Sequence, residues 1–128
     1  MKYGEEVVNH VREGDKCYKN RLWQSALAAY IHAFEWASIA YLEEEAGLDI
    51  IERERDGVYY NFAGGRHSLL DELTSHVEID QKTLSKIQSM NRAERRWMAH
   101  HKSGNTLQKE VDALRARLNQ FLKTLFDH

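Results

Sequence analysis

Between Gln81 and Lys102 the chain reads QKTLSKIQSMNRAERRWMAHHK. Arg92, Arg95 and Arg96 are followed, within about two helical turns, by His100 and His101. Guanidinium groups and imidazoles this close suit phosphodiester cleavage without a metal. An imidazole near its ordinary pKa of ~6.5 takes the 2′-hydroxyl proton of RNA or protonates the leaving oxygen. An Arg fork holds the phosphate and stabilises the negative charge that develops on it. DNA lacks the 2′-hydroxyl, so this chemistry discriminates against it. On a straight helix Arg96 and His100 lie about 40° apart and serve one site, whereas Arg95 and His100 lie about 140° apart. A site using Arg95 needs a bent helix, the reach of its long side chain, or a second subunit.

Each of these residues also has a plainer reading. Arg92, Arg95 and Arg96 fit a solvated face that pairs with acids of neighbouring helices such as Glu35 or Glu110. His101 falls inside the apolar arc of its helix and fits a core-edge histidine. Adjacent residues diverge by about 100° on a helix, and no acid or His sits at a matching step from His100-His101, so a metal site is not expected. His32, His67 and His76 are scattered, and are read as structural or exposed. Glu35, a polar residue on a mostly apolar helix, is placed to project towards the basic segment. Cys17 reads as buried and inert.

The elements that must position this chemistry read as helices. Glu5 to Lys19 carries Val7, Val8, Val11 and Tyr18 on one side, with Gly14 weakening it by about 1 kcal/mol relative to Ala. Asn20 and Arg21 form a short break. Leu22 to Glu45 places Trp23, Ala26, Leu27, Tyr30, Phe34, Ala37, Ser38 and Tyr41 in a stripe roughly 100° wide. Gly47 is its terminator. Residues 46–66 are an irregular insertion: either a small hairpin turning at Asp56-Gly57, or a frayed helix and a loop. Tyr59, Tyr60 and Phe62 either pack over one end of the molecule or stack on a ligand. A short helix from His67 to Ser75 turns Leu69, Leu70 and Leu73 inward. Asp80 caps the organising helix, whose apolar arc is Leu84, Ile87, Met90 and Met98, with Trp97 near it. Ser103-Gly104 breaks that helix, and Asn105 or Thr106 caps the next. There Leu107, Val111, Leu114, Leu118, Phe121, Leu122, Leu125 and Phe126 make a narrow seam, expected to fold back antiparallel on the organising helix.

The totals agree with one helical domain over residues 1–128. The chain holds 128 residues, no proline and one cysteine. The absence of proline favours uninterrupted helices, and a single thiol forms no internal disulfide. The net charge is -2, so the molecule as a whole is no electrostatic nucleic-acid binder and any basic surface is local. From Gln81 to Lys102 six Lys or Arg stand against one acid, Glu94. The N-terminal MKYGEEVVNH lacks a signal-peptide core, and no apolar run reaches the ~20 residues that span a bilayer. A soluble cytoplasmic protein with no cofactor and no membrane contact is expected. The predicted fold is all-α, an up-and-down bundle of four long helices plus a short one.

Two features resemble the HEPN domain family of prokaryotic toxins, defence proteins and some eukaryotic nucleases. The segment AAYIHAFEWASIAYLEEE is similar to the family's long second helix. Late in the penultimate long helix, Arg95 precedes His100 by four intervening residues and His101 by five, and Arg96 precedes His101 by four. The resemblance covers about Glu5 to Phe126. It implies a homodimer with two motif helices facing each other across a cleft. It further implies metal-independent endoribonuclease activity in active members and frequent pairing with a nucleotidyltransferase-like antitoxin. Under it Arg95 is the phosphate ligand and His100 the acid/base, with Arg96 and His101 as register alternatives. The position after the Arg, polar in many active members, is Arg96 here, or Trp97 in the other register. The rival function is a non-catalytic helical-bundle module that binds a partner protein or a nucleotide.

Overall fold

The structure is a computed structural model that describes residues 4–55, 61–63, 68–95 and 104–127. Among the described residues the elements are six helices and no strand: α1 (Gly4–Lys19), α2 (Trp23–Glu44), α3 (Ile50–Arg55), α4 (Leu69–Thr74), α5 (Gln81–Arg95) and α6 (Gly104–Phe126). The chain is therefore all-α over these residues, a helical bundle.

Helix α2 is the element the others cover. It touches α1 most extensively, then α6, and also α3, α4 and α5. The expected stripe of about 100° is too narrow. Ala29, Ile31, Ala33, Ile39, Ala40 and Leu42 lie outside it and are buried as well. The reason is the alanine content: with methyl side chains at 26, 29, 33, 37 and 40, neighbouring helices approach on several sides at once. The rings of Tyr30 and Phe34, fully buried, fill the space between those approaches.

Helices α1 and α2 form an antiparallel hairpin. Tyr18 meets Trp23 with ring centroids 5.3 Å apart, and His10 meets His32 at 5.3 Å further along. At the turn Arg21 adopts φ 58, and the Leu22 N–H donates back to the Cys17 carbonyl at 2.8 Å. Val8 is 45% exposed rather than part of the inner face. The buried positions are Val7, Gly14 and Cys17, one side of the helix. At Gly14 a Cβ would stand 2.5 Å from the Tyr30 ring. The glycine read from sequence as a weakness is the point where α1 admits that ring.

Helix α6 lies alongside α2 in the same direction: Phe34 faces Phe121 at 5.0 Å and Tyr41 faces Phe126 at 6.5 Å. The predicted seam is the buried face, with Leu107, Val111, Leu114, Leu118, Phe121 and Leu125 all buried. Its principal partner is α2 rather than α5, because α2 offers the larger apolar surface. Asn105 and Thr106 sit inside the first turn of α6, exposed, and are not its caps. Helix α5 runs against α6 in the opposite sense, with Asp80 beside Arg117 and Ser89 lining the same groove as Ala113.

The hairpin alternative for the insertion is corrected over its first arm. Ile50 and Ile51 are helical, in α3. The Asp49 carboxylate accepts the Glu52 N–H at 2.9 Å, so Asp49 starts a helix where the hairpin reading places a strand. Gly47, at φ 71, ends α2 as expected. The Asp56-Gly57 turn, Tyr59, Tyr60 and His67 lie outside the described residues. Phe62 is buried in the common core, which answers the packing-or-ligand choice for that ring in favour of packing. Helix α4 is capped by Ser68, whose hydroxyl accepts the Asp71 N–H at 2.9 Å, and it buries Leu69, Leu70 and Leu73.

Candidate functional site

Helix α5 is seated by its N-terminal cap and its inner face. Asp80 accepts the Thr83 N–H at 3.0 Å and the Thr83 hydroxyl at 2.7 Å, as its capping role requires. These hydrogen bonds, with Arg117 nearby, hold the Asp80 carboxyl below its usual pKa. Ile87, Met90 and Ala93 are buried and Leu84 packs against the core. Thr83 and Asn91 are buried beside them. Once that side is fixed, Lys82, Ser85, Ser89 and Arg92 face solvent.

The predicted site residues fall at and beyond the last described residue of this helix. Arg95 is the last residue of α5, and only its backbone position is described. Arg96, His100 and His101, with Trp97 and Met98, lie outside the described residues. The described structure therefore presents the helix that leads to the Arg/His cluster, and Arg92 exposed on it, without the cluster itself. Glu35 and Glu110, the acids considered as partners for the arginines, are both half-buried.

Beside α5 the lysines do not stand alone. Lys82, Ser85, Lys86 and Ser89 form one wall of an open groove, and Ala113 and Arg117 of α6 form the other. Arg117 is 3.6 Å from Asp80, with both side chains well exposed. The groove thus gathers three cations and two hydroxyls, with Asp80 at its rim. Reading α5 alone found its lysines but not Arg117, because that residue joins them only through the packing of α6.

A second polar cluster joins α1, α2 and α6. The Asp15 carboxylate accepts the Tyr30 hydroxyl at 2.6 Å and the Arg115 Nε–H at 3.2 Å on the same oxygen. The Arg115 guanidinium lies 4.8 Å over the Tyr18 ring, and the Tyr18 hydroxyl donates to Asp112. Burial, then the Asp15 hydrogen bond, pushes the Tyr30 hydroxyl well above the usual tyrosine range. The Tyr18 hydroxyl is raised chiefly by its bond to Asp112. Both phenols stay protonated as donors, so the cluster ties α1, α2 and α6 together and holds no ready nucleophile. Arg115 and Asp112 lie 100 and 94 positions from their partners Asp15 and Tyr18, and no local spacing signals them.

Cys17 is buried, as expected, with its thiol directed to Glu13 at 3.6 Å. Burial, followed by the Glu13 charge and hydrogen bond, raises its pKa, which keeps it a thiol. His32 is exposed but paired edge-on with His10, and burial together with His32 lowers the His10 pKa against a smaller opposing pull from Glu6. His76 stands 3.8 Å from Glu72. Among the described residues no three His, Cys, Asp or Glu side chains gather as a metal-ligand set, and no helix is long and apolar enough to cross a membrane. No family model matches the sequence, and neither a curated protein nor a solved structure matches it.

Proposed function

We propose that the chain is a HEPN-like, metal-independent endoribonuclease that acts as a homodimer in the cytoplasm. The observation that carries the reading is the solvent-facing cationic side of α5, on an all-helical scaffold, leading to Arg95 at the helix end. In sequence register Arg92, Arg96 and His100 follow at four-residue steps, which on a continuing helix is one face. The antiparallel α1–α2 and α5–α6 pairs are compatible with the four-long-helix, up-and-down arrangement that the proposal includes.

In this mechanism Arg95 holds the scissile phosphate and His100 moves the proton, with Arg96 and His101 as the alternative register. The base removes the 2′-hydroxyl proton and the 2′-oxygen attacks phosphorus. The 5′-oxygen then leaves, protonated by the acid, giving a 2′,3′-cyclic phosphate and a free 5′-hydroxyl. Two subunits bring two such helices to one cleft, which relieves the angular separation of Arg95 and His100. A nucleotidyltransferase-like antitoxin is the partner this reading implies.

The test is RNA cleavage by purified protein in excess chelator, beside a His100→Ala, His101→Ala double variant. Cyclic-phosphate ends formed by the parent and lost in the variant are the expected result. A folded dimer that leaves several RNAs intact overturns the nuclease and favours a binding module. A monomer mass at micromolar concentration counts against the dimer.

A further inference from the structure

From the juxtaposition of Lys82 and Lys86 on α5 with Arg117 on α6 we infer that the α5/α6 groove is a track for the phosphate backbone of single-stranded RNA, separate from the bond-breaking residues. The choice of RNA as occupant rests on the function proposed above; the groove's affinity for a polyanion rests on its own geometry.

Three observations support it. First, the charge is concentrated here against the trend of the molecule: the chain is net negative, yet the groove wall carries Lys82, Lys86 and Arg117. Second, the cations are available. Asp80 pairs with Arg117, and it is already engaged by the Thr83 N–H and hydroxyl. Its pairing with Arg117 is a 3.6 Å contact between side chains 54% and 37% exposed, the kind of surface ion pair that is weak and exchangeable. Third, the groove has hydroxyl donors and open space. Ser85 stands between the two lysines along the helix and Ser89 one turn beyond Lys86, and Ala113 of α6 takes little room in the opposite wall. Lys82 and Lys86 are one four-residue step apart, a rise of about 6 Å along the axis, so each meets a different part of an extended backbone. Contacts of this type position a strand without reading its bases, which is what an endonuclease needs on the flank of its cutting site.

The test is fluorescence anisotropy with a labelled single-stranded RNA oligonucleotide, using the full chain carrying His100→Ala and His101→Ala so that no cleavage depletes the probe. Adding Lys82→Gln, Lys86→Gln and Arg117→Gln should weaken binding about tenfold or more at low salt. It should also flatten the dependence of log affinity on log salt by about 2, since each phosphate contact on a single strand contributes about 0.7. Two comparisons guard the result. Lys82→Arg with Lys86→Arg keeps the charge and should bind like the parent. Arg12→Gln, Lys16→Gln and Lys19→Gln remove as many exposed cations from α1 and should leave affinity within about twofold. Unchanged helicity by circular dichroism shows that each variant is folded. The track is overturned if the parent does not bind RNA at low salt, if the groove variant binds like the parent, or if the α1 variant loses as much. Groove-dependent binding without cleavage by the wild-type chain removes the nuclease and keeps the track. Undiminished binding by the groove variant, with undiminished cleavage when the three groove substitutions are made in the wild-type chain, does the reverse.

Discussion

At the scale of single residues, Gly14 shows how a local rule and a packed structure give opposite answers. Helix propensity alone says Gly14→Ala stabilises α1 by about 1 kcal/mol. The added methyl would stand 2.5 Å from the Tyr30 ring. That ring is fully buried and its hydroxyl is held by Asp15, so it has little freedom to withdraw. Overpacking of this kind costs about 1–3 kcal/mol. The expected net result is a loss of up to about 2 kcal/mol in urea unfolding, and a variant more stable than the parent would show that the ring yields. The glycine was visible in the sequence, but the ring it admits was not, because Tyr30 belongs to another helix. Among the groove residues the excess of basic charge along α5 was legible from composition, whereas Arg117 and the Asp15–Tyr30–Arg115 cluster depend on contacts that no window of sequence contains.

At the scale of elements, the chain's punctuation was largely readable. Gly47 ends α2 and Asp80 begins α5 where turn and cap chemistry place them. The seam of α6 is the buried face that its four-and-three spacing describes. The miss at Ile50-Ile51 has a specific cause: β-branched residues next to a possible turn suggested a strand, while Asp49 three positions before Glu52 is a helix-start signal that was passed over. The break between α1 and α2 also carries a cost that the sequence does not advertise. Arg21 sits at φ 58 with an exposed side chain, a conformation that a residue with a Cβ adopts at a penalty of about 1–2 kcal/mol. Arg21→Gly removes that penalty and gives back part of it through the more flexible unfolded chain. A net gain of about 0.5–1 kcal/mol is expected, read as a rise in Tm of a few degrees. An unchanged or lower Tm would mean that the Arg21 side chain contributes more than its backbone costs.

At the scale of the whole molecule, helix content and the central place of α2 follow from composition and pattern, but the partnerships do not. Nothing in the apolar seam of α6 states that α2, rather than α5, is its main neighbour; that is decided by which surface remains uncovered once α1 and α2 have paired. The two bonds of the Asp15 carboxylate give those events an expected order. It binds Tyr30, 15 positions away, and Arg115, 100 positions away, through one oxygen. Closing the longer loop costs about 1.7 kcal/mol more chain entropy, from roughly 0.6 for each doubling of length. The near partner is therefore engaged while the chain is still searching, and the far one only as the last helix docks. Arg115→Ala should then speed unfolding and leave the folding rate almost unchanged in a chevron measurement; a slowed folding limb would place α6 in the nucleus instead. On this view Asp15 is a two-stage latch, set first by the α1–α2 hairpin and locked by the end of the chain. Until α6 docks, the aromatic face of α2 stands open to other chains, and the risk of misassembly is greatest in that interval.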